Sequence, residues 1–209
     1  MSTAAYRPAT GLQIDVEVRG DRVRKTFNRD IPGRAPADEK FEREYAAYCR
    51  FSELGTDFVP RLIECNRAGL WLDLERIANG RTLVDWLNDA AHNSFDPVIT
   101  QLIHIDHYLH KHRINYLAGS PLDVLVAHDY RVYLIDFEYT WLDERFEDIF
   151  CESMNHTRLE RVTNTSNRDL FIAMLASRRA DIRHYSRRKI TNAAVHRLRI
   201  GRRRKLVRR

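Results

Sequence analysis

Apolar and polar residues alternate over Leu12–Val18 (LQIDVEV), break at Arg19-Gly20-Asp21, and resume over Arg22–Phe27. That pattern predicts an antiparallel hairpin in which the Arg-Gly-Asp is a turn. From Asp38 to Leu54 the period changes: Phe41, Tyr45, Tyr48 and Phe51 recur every three to four residues, as on one face of a helix. Phe58–Glu64 and Gly69–Leu74 read as two further strands, and Leu83–Ala91 as a short helix. A longer helix is expected from Asp96-Pro97 to about His112, with Val98, Leu102, Ile105 and Leu109 on its buried face. Val124–Val126 and Val132–Ile135 flank the polar His128-Asp129-Tyr130-Arg131, which predicts a second hairpin. From Asp169 onward, Leu170, Ile172, Met174, Leu175, Ile182, Ile190, Val195, Leu198 and Leu206 thread a strongly basic segment that reads as one or two helices.

The 209 residues suit one domain or two small packed lobes, and the 44% apolar fraction argues against wholesale disorder. No run of 18 apolar residues is present and the N-terminus lacks a charged-then-apolar leader, so neither a membrane span nor a signal segment is expected. Cys49, Cys65 and Cys151 show no paired spacing, which fits a reduced, cytoplasmic protein. The charge is uneven. From Arg178 to the end, 14 Lys and Arg stand against the single acid Asp181, leaving 21 bases against 28 acids elsewhere. An acidic body with a basic tail points to an anionic partner.

Candidate chemistry centres on Leu109–Tyr139. Asp123 opens the first strand of the second hairpin and Asp136 ends the second. A hairpin this short brings its outer ends together, so the two carboxylates could share one divalent ion; Mg²⁺ favours one or two carboxylates completed by phosphate oxygens. His104, His107, His110 and His112 lack an accompanying acid or Cys cluster and read as exposed helix histidines.

Leu109-His110-Lys111-His112, then a loop, Pro121, an apolar strand and Leu134-Ile135-Asp136-Phe137 resemble the catalytic loop and metal segment of the protein-kinase-like superfamily. The resemblance implies an α+β, reduced bilobal fold: a small antiparallel-sheet N-lobe (1–74), a hinge with a mainly helical C-lobe (75–168), and a basic helical tail (169–209). It implies ATP and Mg²⁺ as cofactors. In that register Asp123 and Asp136 take the metal positions, Tyr116 falls on the usual His, and Ala118 falls where the catalytic Asp belongs. Lys25 would grip nucleotide phosphates, with Arg24 as a rival register. Glu44 would orient Lys25, with Glu42 as the alternative. Glu75, in Leu74–Leu83, marks the hinge. No Gly-x-Gly-x-x-Gly loop precedes Lys25. Without the family frame, Lys25 is an exposed strand lysine and Leu74–Leu83 a strand leaving for a helix.

Asp136-Phe137-Glu138-Tyr139 with Asp148-Ile149 is similar to the choline kinase and aminoglycoside phosphotransferase branch, where the second Asp braces the catalytic loop. The basic tail and the absence of an activation loop resemble lipopolysaccharide core (heptose and Kdo) kinases. The expected function is an atypical phosphotransferase from ATP to a hydroxyl of a sugar or lipid-linked sugar, with Glu138 as a substitute base. It would act in the cytoplasm, peripheral to the inner membrane, with the tail on anionic lipid or, less favourably, on nucleic acid. The alternative is a pseudokinase, a nucleotide- or partner-binding regulatory scaffold, because YrbL-like proteins share a loop of this form without the catalytic Asp. A scaffold with no nucleotide at all is the third reading.

Overall fold

The computed structural model describes residues 14–28, 30, 34–116, 120–143, 154 and 158–180, and the chain they form is mixed α+β. Strands β1 (Ile14–Arg19) and β2 (Arg22–Phe27) form the first hairpin, with Ile14 opposite Phe27 and Arg19 opposite Arg22. Gly20 closes it at φ +63°, a left-handed conformation that costs glycine little. Helix α1 (Ala37–Glu53) follows, then β3 (Leu62–Asn66) and β4 (Trp71–Glu75), giving one antiparallel sheet in the order β1-β2-β4-β3. The strand expected from Phe58 begins only at Leu62. Pro60 has no N–H for a ladder, and a bulge interrupts the register between Leu62 and Glu64.

Next come β5 (Arg81–Thr82) and α2 (Leu83–Asp89). Thr82 caps α2: its hydroxyl oxygen accepts from the Asp85 amide at 3.1 Å and the hydroxyl donates to the Asp85 carboxylate at 2.7 Å. A single 3-10 turn (His92–Ser94) leads into α3 (Phe95–Lys111). Strand β6 (Ile114–Tyr116) pairs with β9 (Thr140–Leu142), while β7 (Val124–Val126) and β8 (Val132–Leu134) form the second hairpin, extended by β5. Gln101 on α3 ties down the hairpin turn: its amide donates to the Tyr130 carbonyl at 2.8 Å and its carbonyl accepts from the Val132 amide at 3.1 Å. A last helix, α4, covers residues 165–180. Asn167 near its start donates to the Leu87 and Ala90 carbonyls, at 2.6 and 3.0 Å, and so docks α4 on the end of α2.

Phe137 is the hub of the core. It is fully buried and lies 5.1 Å from the Tyr48 ring and 4.9 Å from Phe51, both on α1, and 5.3 Å from Tyr116 on β6. Burying one such side chain contributes about 1.5–3 kcal/mol, and here one ring joins the helix to two later segments. Phe51–Phe58 and Phe58–Tyr108 continue the aromatic row to α3. Among the described residues no helix is long and apolar enough to cross a membrane. The residues before Ile14 and the basic segment beyond residue 180 lie outside the described residues.

Candidate functional site

Helix α1 buries two charged residues one turn apart, Lys40 and Glu44, on the face that also carries Phe41, Tyr48 and Phe51. A buried charge needs a partner close enough to replace water. Glu44 finds one in Lys25, whose ammonium donates to it at 2.5 Å across 19 positions of sequence. The same ammonium bonds the Asp136 carboxylate and lies 3.6 Å from Glu138. Lys40 meets the other oxygen of Glu138 at 2.9 Å and stands 4.7 Å over the Tyr139 ring. Two cations and three carboxylates therefore interlock where β2, α1 and the segment after β8 converge.

Burial alone would lower the Lys25 pKa, but the charges of Asp136, Glu44 and Glu138 outweigh it and hold the ammonium well above its usual range. Burial pushes Glu44 up to about 7 against the pull of Lys25. At Asp136 burial is also opposed, and the charge and hydrogen bond of Lys25 bring the carboxyl below its ordinary value. Glu138 is raised by burial and by the neighbouring Asp136 charge. Asp136 has φ +67°, in the left-handed region that non-glycine residues seldom adopt. The surrounding contacts impose that conformation: Phe137 is locked in the core and the Ile135 amide donates to the Asp123 carbonyl at 2.9 Å.

Asp123 stands immediately before β7. Its carboxylate accepts from the Ser120 amide at 3.1 Å, and its own amide donates to the Ser120 carbonyl at 2.8 Å. Burial and the facing charge of Asp136 push its carboxyl up to about 8. Of two neighbouring carboxylates one is raised strongly: Asp136, held by Lys25, stays ionised, and Asp123 carries the raised value. Oxygens of Glu44, Asp136 and Glu138 also fall within 4.8 Å of one another, the one such acidic group among the described residues. The Lys25 ammonium already sits among those three, and a divalent ion there would face it directly. Asp123 with Asp136 is the other candidate pair, a donor set suited to an ion that takes its remaining oxygens from phosphate.

The structure brings Lys25, Glu44, Asp123 and Asp136 together. Arg24 points to the other face of β2, where it grips Asp73 through two bonds of 2.7 Å and covers Trp71 at 3.6 Å. Glu42 turns outward to Arg67 at 3.3 Å. Glu75 ends β4 as an exposed residue; its amide donates to the Arg61 carbonyl at 2.8 Å and its carboxylate accepts from the Arg61 amide at 3.4 Å. It makes no side-chain bond to the cluster. Glu138, expected as a substitute base, is instead ion-paired to Lys40 and keeps only 10% of its side chain exposed. Ala118 and Asp148 lie outside the described residues. Tyr116 is buried and donates from its hydroxyl to the Ile135 carbonyl at 2.5 Å, bracing the backbone one residue before Asp136.

Lys40 is the member that sequence reasoning missed. A lysine in the first turns of a polar helix carries no mark of burial, and its partner lies 98 positions away. In comparisons with known proteins, the chain matches no family model and no curated protein.

Proposed function

We propose that this chain is a small kinase-like protein that binds a magnesium nucleotide between β2 and the Asp123–Asp136 segment. The observation that carries the proposal is the Lys25 ammonium, bonded at once to Glu44 of α1 and to Asp136. In kinase-like phosphoryl transfer a strand lysine paired to a helix glutamate holds the nucleotide phosphates, and an Asp after an apolar strand holds the metal. Order along the chain supports the same assignment: lysine strand, glutamate helix, two strands, helices, then a hairpin bracketed by two aspartates. On this reading Lys25 neutralises phosphate oxygens and Glu44 keeps the ammonium aimed. Asp123 and Asp136 hold Mg²⁺, which supplies charge neutralisation at the transferring phosphoryl group.

The acceptor proposed is a hydroxyl of a sugar or lipid-linked sugar, from the resemblance of Asp136–Tyr139 to the small-molecule branch of the superfamily. A basic tail held at an anionic membrane belongs to the same proposal, as does a bilobal division of the chain. A second reading has its own observation. Glu138 is tied to Lys40 and the loop register places Ala118 at the base position, so the chain binds nucleotide as a regulatory scaffold without transfer. A positioned base adds about 10²- to 10⁴-fold in rate, so its loss alone slows transfer without abolishing it.

Titration calorimetry with Mg²⁺-ATP on the full chain tests the shared premise, with Lys25→Ala as the control. Binding by the wild type that disappears in the variant supports it; equal binding by both refutes it. Release of labelled phosphate, with and without sugar acceptors, then separates transfer from binding alone.

A further inference from the structure

Glu138 has no hydrogen-bond partner for its second carboxylate oxygen, which is buried and lies 3.6 Å from the Lys25 ammonium. A fully ionised carboxylate at that distance competes for the same cation as Glu44 and Asp136. What restrains it is Lys40, bonded to the first oxygen at 2.9 Å from a side chain only 2% exposed. Lys40 is in turn fixed by the helix and by the Tyr139 ring beneath its ammonium. The cations thus share the carboxylates unequally: Lys25 hydrogen-bonds Glu44 and Asp136 and keeps only a longer ion pair to Glu138, whose hydrogen bond goes to Lys40.

We propose that Lys40 is a positioning residue that holds the Glu138 carboxylate away from Lys25, leaving the Lys25 ammonium directed at Glu44, Asp136 and a phosphate oxygen of the nucleotide. The phosphate part rests on the nucleotide reading above; the partition of carboxylates between the two lysines does not. Removing Lys40 frees Glu138 to close the 3.6 Å gap and take Lys25 out of its position. Supporting residues one step removed from a ligand site typically change affinity about 10- to 100-fold when lost.

The test uses the full chain with Lys40→Met, Glu138→Gln and the double variant, read in two ways. Lysine ¹⁵Nζ resonances report the Lys25 ammonium directly, with no nucleotide present. Lys40→Met should shift the Lys25 signal, and adding Glu138→Gln should return it towards the wild-type position, because a neutral amide does not compete for the ammonium. Mg²⁺-ATP affinity should follow the same order: down about 10- to 100-fold in the single variant and largely recovered in the double. A purely structural lysine would lower thermal stability without moving the Lys25 signal, and a double variant no better than the single would overturn the proposal. If Lys40→Met does not fold, the double variant is compared with Glu138→Gln alone: a Lys25 signal that differs between the two overturns the proposal, and one that coincides supports it. If the wild type binds no nucleotide while the Lys25 signal behaves as described, the functional proposal fails and the positioning role of Lys40 stands.

Discussion

Replacing Asp123 with Asn removes a carboxyl that the fold holds protonated well above its ordinary range. In the folded chain it ionises at about 8, pushed there by burial and by Asp136, against 3.8 for the free group. Between those values the folded state keeps a proton that the unfolded chain has released, so unfolding discharges a proton and stability falls as pH rises. The slope for one such group is about 1.4 kcal/mol per pH unit, which amounts to about 2–3 kcal/mol between pH 5 and pH 7. Glu44, raised to about 7, acts in the same direction, so the wild type alone gives a combined slope. The difference between wild type and Asp123→Asn isolates Asp123, and the Asn oxygen still accepts from the Ser120 amide. Urea unfolding of metal-free protein at pH 5, 6, 7 and 8 reads it out. The advantage of the variant should grow by about 1 kcal/mol or more per unit up to pH 7 and level off above pH 8. A difference independent of pH would mean that Asp123 is an ordinary solvated carboxylate, raised neither by burial nor by Asp136.

Other outcomes follow from single contacts. Asp73→Ala removes the carboxylate that grips the Arg24 guanidinium on the outer face of the sheet and should lower stability at neutral pH. Because Arg24 holds the Asp73 carboxyl below its ordinary value, that contribution is present above pH 3.8 and fades as the pH falls through the depressed value, which acid unfolding would show. Phe137→Ala should cost about 3–5 kcal/mol by removing the ring between α1 and β6, measured by denaturant melts. Tyr130 is exposed at φ +64°, so Tyr130→Gly should raise stability by about 1 kcal/mol.

The elements carrying strong periodicity were legible in the sequence: both hairpins, α1 and α3 fall within about two residues of their expected positions. The pieces that escaped are short. Strands β5, β6 and β9 have two or three residues each, too few to show an alternation, and their pairing is set by tertiary contact. At the site, the pairing of Lys25 with Glu44 was legible only through the family resemblance, which left Arg24 and Glu42 as rivals; the residues alone gave an exposed strand lysine. The direction of Glu138 was not legible. One residue along, Phe137 fills the core and Tyr139 lies under Lys40, and only the folded chain fixes which cation the intervening carboxylate takes. Lys40 itself gave no sign, since burial of a charge is visible only with its partner in place.

The most direct measurement is Mg²⁺-dependent ATP binding by titration calorimetry on the full chain, beside Lys25→Ala and Asp123→Asn. A working nucleotide site predicts saturable binding that needs Mg²⁺, is lost without Lys25 and loses its metal dependence without Asp123. No heat of binding at millimolar ATP, or binding indifferent to both substitutions, would contradict it.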